Sequence, residues 1–219
     1  MKEAMKQMDA ARGLASKANG KQRSKVRNMV QIAMLGSLST ILMFFQIPLW
    51  FAPPFYQLDF SEVPVLIGAF ALGPVAGILI ELVKILLNFA LDGTITMGIG
   101  ELANFLIGSS FLVPASICYR KMHTKKGAIY GLALGTICMV IVASLLNAFV
   151  LLPAYAVAFG MEDISTLVEM GSALNPSIHN LSTFILFAVA PFNLVKGALV
   201  STVTLLLYKR IRFLLKPTQ

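Results

Sequence analysis

The segment PFNLVKG places an amide, Asn193, three residues before an ammonium, Lys196, inside an otherwise apolar run. Asn147 lies in a second apolar run, SLLNAFVLL. Polar groups in such surroundings must find partners, because an unpaired buried amide or ammonium is costly. For Asn147 an interhelical hydrogen bond would serve. Lys196 has no acidic residue within a helical turn, so it needs a carboxylate from another element or a polar ligand. Together the three side chains read as a polar patch on a cavity wall, supplied by two helices and reachable from outside. Their chemistry is non-covalent binding: donors and acceptors, with no nucleophile among them.

The other polar residues at similar depth read differently. Glu81 and Lys84 lie three apart, can neutralise each other on one helix face, and are expected to hold helices together. Glu101 and Asn104 share that spacing near the outer surface, where they either cap a helix or line a pocket. Asn88 and Asp92 are expected to face headgroups. No phosphate-binding GxxxxGK[ST] loop, HExxH or GxSxG elbow occurs. His123 and His179 fall in loops on opposite sides of the membrane and cannot share a site. Cys118 and Cys138 have no metal-ligand spacing and read as small apolar fillers. The chain is therefore expected to bind something, with no metal, no cofactor and no catalysis. It shows no inverted repeat of the kind that lets a transporter energise itself.

The elements that must position these groups follow from composition. The chain is 57% hydrophobic and 13% charged, with mean hydropathy +0.79, against about 25% charged in a soluble domain. The expected architecture is an all-α integral membrane protein of six transmembrane helices, at about 20 residues per span. The spans are read at 29–48, 60–72 (a short one ending at the Gly73-Pro74 turn), 75–91, 100–119, 127–152 and 181–208. Pro114 and Pro191 fall inside spans as possible kinks. The domain layout is a basic cytoplasmic tail at 1–28, without the pattern of a secretory signal, then a membrane domain at 29–212 and a short tail at 213–219.

Sixteen of the eighteen Lys and Arg residues flank spans, in clusters at 2–27, 120–126 and 209–216, despite a net charge of +8. That distribution follows the positive-inside rule and excludes a nucleic-acid face. It puts both termini in the cytoplasm. The segment 153–180 carries Glu162, Asp163 and Glu169 without Lys or Arg, so it is expected outside. The loop LWFAPPFYQLD (49–59), with Phe51, Pro54, Phe55, Tyr56 and Leu58 and the adjoining Phe60, offers π faces and apolar contacts to a flat heteroaromatic ligand. On the first helix, Ala33 precedes Ser37, and Gly36 precedes Thr40, by four residues. Small-xxx-small spacing lets another helix approach closely and marks a docking face for a membrane partner.

The blocks YQLDFSEVPVLIGAFALGPVAG (56–77), SLLNAFVLLPAY (144–155) and APFNLVKG (190–197) carry a resemblance. Over residues 29–212 the chain resembles the riboflavin-specific S components of energy-coupling factor (ECF) vitamin importers. The resemblance implies six helices in a bacterial cell membrane and a vitamin site near the extracellular side. Asn147, Asn193 and Lys196 would make its polar contacts, and Tyr56, Gln57, Leu58 and Asp59 would form the covering loop. It implies a transmembrane coupling protein and two cytoplasmic ATPases as partners. Docking would run through an Ala-xxx-Ala pattern that here reads Ala33-xxx-Ser37. Riboflavin, FMN or FAD would be cargo. The segment 153–180 is longer than the resemblance implies, which bears on access or on the choice among flavins. Rival readings are an S component for another vitamin, a membrane enzyme using Glu81 or Glu101 on lipid or isoprenoid substrates, and an assembly subunit.

Overall fold

The computed structural model describes residues 2–53, 55–94, 97–161 and 163–211. Pro54, Glu162 and the tail 213–219, with Arg212 and Lys216, lie outside the described residues. The fold is almost wholly helical. Helix α1 (Lys2–Met43) is one piece, so the basic segment expected as a separate tail is helical up to the span. Next come two short antiparallel strands, β1 (Ile47–Pro48) and β2 (Gln57–Leu58), with Ile47 opposite Leu58. This hairpin was not expected; it ties the two ends of the aromatic loop together.

Helix α2 (Glu62–Leu72) and α3 (Pro74–Asp92) meet at Gly73. Its φ of +110° is open mainly to glycine, and Pro74 opens the next helix where no N–H is needed. Helix α4 (Ile99–Met122) carries Pro114 inside it. Helix α5 (Lys125–Leu146) starts at Thr124, whose hydroxyl accepts from the Gly127 N–H at 3.1 Å. It runs on through a π-helical segment, Asn147–Leu151, into α6 (Leu152–Ala158). Pro153 therefore does not end the span as expected. After α7 (Ser165–Ser172), a capping box of Asn180 and Thr183 opens α8 (Leu181–Phe184). A second π segment, Ile185–Val189, leads into α9 (Ala190–Ile211).

Both π segments have one cause. The Leu152 N–H, just before Pro153, bonds the Asn147 carbonyl, and the Ala190 N–H, just before Pro191, bonds that of Ile185. Each reaches back five residues rather than four. A proline ring clashes with the carbonyl four residues earlier, and a widened turn relieves the clash without breaking the helix.

Among the described residues, five stretches are long and apolar enough to cross a membrane: Gln22–Met43, Pro74–Asp92, Ile99–Met122, Lys125–Ala158 and Leu181–Leu207. The expected second span is only the eleven residues of α2, roughly 16 Å at the usual helical rise. The main apolar core joins α2, α3, α4, α5 and α9 around Leu66, Ile80, Phe111, Leu132 and Val200. A smaller second cluster gathers Leu152, Leu167, Ile178 and Phe184.

Helix α1 packs on α3 through one small-residue line. A Cβ on Gly36 would lie 2.5 Å from the Val83 side chain, and Thr40 donates to the Gly36 carbonyl at 3.0 Å. Ala33 and Ser37 form the other line, which is exposed. Gly36→Leu should therefore cost roughly 1–3 kcal/mol of overpacking and lower the melting temperature in detergent by about 3–10 °C. Ala33→Leu, on the exposed line, should leave it within about 1 °C.

Candidate functional site

Five charged side chains come together below the aromatic loop. Lys84, fully buried on α3, lies 2.7 Å from Glu62 Oε1 of α2 and 2.7 Å from Glu81 Oε1 on its own helix. The expected Glu81–Lys84 pair is thus a triad. Glu62, which sequence reasoning passed over, supplies the second carboxylate. Its signal was present, as the one acidic residue in the apolar stretch 60–72. Gly108 of α4 makes room, since a Cβ there would stand 2.6 Å from Glu81 Oε1 and 2.9 Å from Glu62 Oε1.

Lys196 finds its carboxylate in the loop, with Nζ 3.0 Å from Asp59 Oδ2. The other Asp59 oxygen accepts from the Ser61 N–H at 2.8 Å and from the Ser61 hydroxyl. Ser39 of α1 donates to the Ser61 carbonyl at 2.7 Å. Burial pushes the Asp59 carboxyl up, but the nearby Lys196 and Lys84 charges and the Ser61 bond outweigh it and hold the group at about 2.

Above this cluster lies a cavity of about 130 Å³. Asn147, Asn193 and Lys196 line it with Tyr56 and Gln57 of the loop, together with Glu62, Asn104, Gly108, Tyr155 and Phe192. The two asparagines sit at the π segments. Asn147 donates one amide hydrogen to the Ala143 carbonyl at 2.8 Å, and Asn193 donates one to Val189 at 2.9 Å. Each keeps a second donor. The Tyr56 hydroxyl donates to Asn147 Oδ1. Burial raises the Tyr56 phenol well above its ordinary value, so it stays a donor at any physiological pH. The Tyr56 ring centroid lies 5.2 Å from Phe192 and 4.7 Å from Phe55.

Leu58 and Asp59 do not line the cavity. Leu58 is buried in β2, and Asp59 stands behind Lys196 as its counter-ion. Phe51 packs edge-on against Trp50, and Phe60 joins the main core, so neither ring is on the wall. A second chamber of about 670 Å³ adjoins the first and shares Phe55, Gln57, Gly100, Asn104 and Tyr155 with it. Asn88 and Asp92, expected to face headgroups, line this outer chamber with Glu101, and Asn88 is buried. Sites for drug-sized ligands run about 300–1,000 Å³. The inner cavity alone is too small for such a ligand, so one would occupy both.

The family model of the ECF transporter substrate-specific component matches residues 27–208. The chain belongs to this family. The riboflavin transporter RibU of Staphylococcus aureus (strain TCH60) is 40% identical over 203 residues, covering 90% of this chain and 98% of the relative. The riboflavin transporter FmnP of Bacillus subtilis (strain 168) is 32% identical, covering 86% and 93%. A solved structure of the S component of a bacterial ECF transporter is 38% identical. It aligns with TM-score 0.68 over 88% of this chain and 99% of that one. This ECF substrate-specific component is a membrane transport protein and not an enzyme.

The Asp59 ion pair gives this S component a defined acid sensitivity. A carboxyl held below its unfolded value of 3.8 adds stability that is complete above that value and lost as pH falls through about 2. The contribution is on the order of 2 kcal/mol. The melting-temperature gap between wild type and Asp59→Asn should be constant from about pH 8 to pH 5 and close between about pH 4 and pH 2. A gap already closed at pH 6 would contradict the ion pair.

Proposed function

We propose that this chain captures riboflavin at the outer face of a bacterial cell membrane and delivers it inward when docked on an ATP-driven module. The observation that carries the reading is the wall of the inner cavity. It joins the Asn147 and Asn193 amides and the Lys196 ammonium to the Tyr56 and Phe192 rings, in a family whose similar relatives are named riboflavin transporters. A fused-ring heterocycle with carbonyl and N–H edges needs both features: π surface for its faces, and donors fixed in direction for its rim. Asn147, Asn193 and Lys196 supply the donors in this reading. Tyr56 and Gln57 close over the ligand, while Leu58 and Asp59 anchor the loop.

The topology belongs to the same proposal. Six helical segments, counting the short α2, with both termini inside would gather the flanking Lys and Arg on the cytoplasmic side. The partners would be a transmembrane coupling protein and two ATPase subunits, docked on the exposed Ala33–Ser37 line of α1. Met34, Leu38 and Ile41 extend that face with exposed apolar side chains.

Riboflavin fluorescence titrated with purified protein tests the binding. Stoichiometric quenching is expected, and Asn147→Ala, Asn193→Ala or Lys196→Ala should each raise Kd by about 10-fold or more, as for loss of a buried hydrogen bond to ligand. Wild-type protein that leaves the fluorescence untouched would sink the assignment. For the docking face, Ala33→Trp should abolish co-purification with the coupling module while leaving quenching intact. Normal co-purification would move the interface elsewhere.

A further inference from the structure

The covering loop has a second face that the cavity does not use. Residues 44–58, FFQIPLWFAPPFYQL, include six aromatic side chains and no charge. The hairpin sorts them into two sides. Ala52, Pro53 and Leu58 are buried, and Tyr56 and Gln57 line the inner cavity. Phe44, Phe45, Ile47 and Trp50 are exposed instead. At 87%, Trp50 is the most exposed large apolar side chain among the described residues. Its ring meets Phe51 edge-on, with centroids 5.5 Å apart, and is otherwise turned outward.

Contiguous apolar surface of this kind marks an interaction face. Here it continues the membrane span. Val30, Met34, Leu38 and Ile41 are exposed along α1 at helical spacing, and Phe45 extends their stripe past the end of the helix. While the chain is free of its partner, lipid covers that stripe, so its continuation on the hairpin lies at the edge of the bilayer. An indole suits that boundary. Its rings are apolar and its N–H donates, and both are satisfied at headgroup level.

We propose that Trp50, with Phe45 and Ile47 exposed on the same loop, anchors the cover in the headgroup region of the bilayer and helps hold the cavity closed. The hairpin transmits the anchor. Ile47 pairs with Leu58 and Pro48 with Gln57, so β1 carries β2, the strand that reaches the cavity. The cover cannot lift without drawing the indole from its seat. The inference goes beyond the riboflavin reading, and only its second measurement rests on that reading.

Trp50 is the one tryptophan of the chain, so the emission of the unmodified protein reports its depth. The full chain, free of flavin and of partner proteins, is placed in phosphatidylcholine vesicles. The lipid tails carry bromine either just below the headgroup or near the chain end. The shallow label should quench the emission more than the deep one, and aqueous iodide should quench it little. Stronger quenching by the deep label would put the ring in the hydrocarbon core, and strong quenching by iodide would put it in water. Quenching by none of them would put it against a second copy of the chain. Each of these three results would overturn the anchor. For the hold on the cover, riboflavin release is followed as recovery of flavin fluorescence after dilution. Trp50→Ser should speed it by roughly 5-fold, the factor for about half the burial of one aromatic side chain. An unchanged rate would overturn the coupling to the cover. Absence of riboflavin binding in wild type would instead overturn the function proposed above, and the quenching series would still decide the anchor.

Discussion

The fold depends on a buried ammonium. Lys84 has no exposed surface and sits between Glu62 and Glu81, so it cannot be removed without stranding two carboxylates in an apolar core. Breaking a buried pair from one side typically costs about 3–5 kcal/mol. Because Glu62 is the first residue of α2, the triad fixes where that short helix begins. Helix α2 is too short to span, and pinning its upper end at the depth of Lys84 leaves space beneath the aromatic loop. The loop is held over that space from the opposite side by Asp59 and Lys196. One charge cluster thus sets both the floor and the lid attachment of the cavity.

The cavity's polar edge has a separate origin in two prolines. Pro153 and Pro191 each follow a π segment, and those segments contact each other. A π turn advances the helix by an extra residue, which rotates everything beyond it relative to an ideal α-helix. Asn147 opens the first widened turn, and Asn193 bonds the last carbonyl of the second. Both amides thus border a widened turn, one at its start and one just past its end, and both line the inner cavity. Widened turns of this sort are frequent at functional sites, and here the chemical cause is visible in the chain.

Much of this was legible from residue order, and the exceptions are instructive. Composition, charge clusters and the Gly73-Pro74 turn place α2 to α5 within a few residues. Asn147, Asn193 and Lys196 stood out because polar groups in apolar runs are expensive. The π segments were not legible, because a proline in a helical pattern reads as a kink or a stop and periodicity cannot distinguish a widened turn from either. Pairing across distance was the other blind spot. Nothing local joins Lys196 to Asp59, 137 positions away, or Glu62 to Lys84 on the next helix. Asp59 was read as part of the covering loop, and the structure places it behind the wall, paired with Lys196.

The cavity persists because the described residues form two apolar clusters and not one. The main core ends near Ile107 and Met139, both of which touch it. The second cluster begins at Phe55, Tyr56 and Leu152 and is built from short helices and a loop. Among the described residues, only the π-containing helices pass through both. Burial of apolar area scales the free energy needed to open a region, so the smaller second cluster is the easier of the two to part. Its residues Leu167, Met161 and Met170 also line the outer chamber. Opening there would expose both chambers while leaving the Glu62–Lys84–Glu81 triad buried in the larger core. A site that must admit a ligand from one side and keep its frame intact is served by that division: stability concentrated around the buried charges, and looseness confined to the smaller cluster.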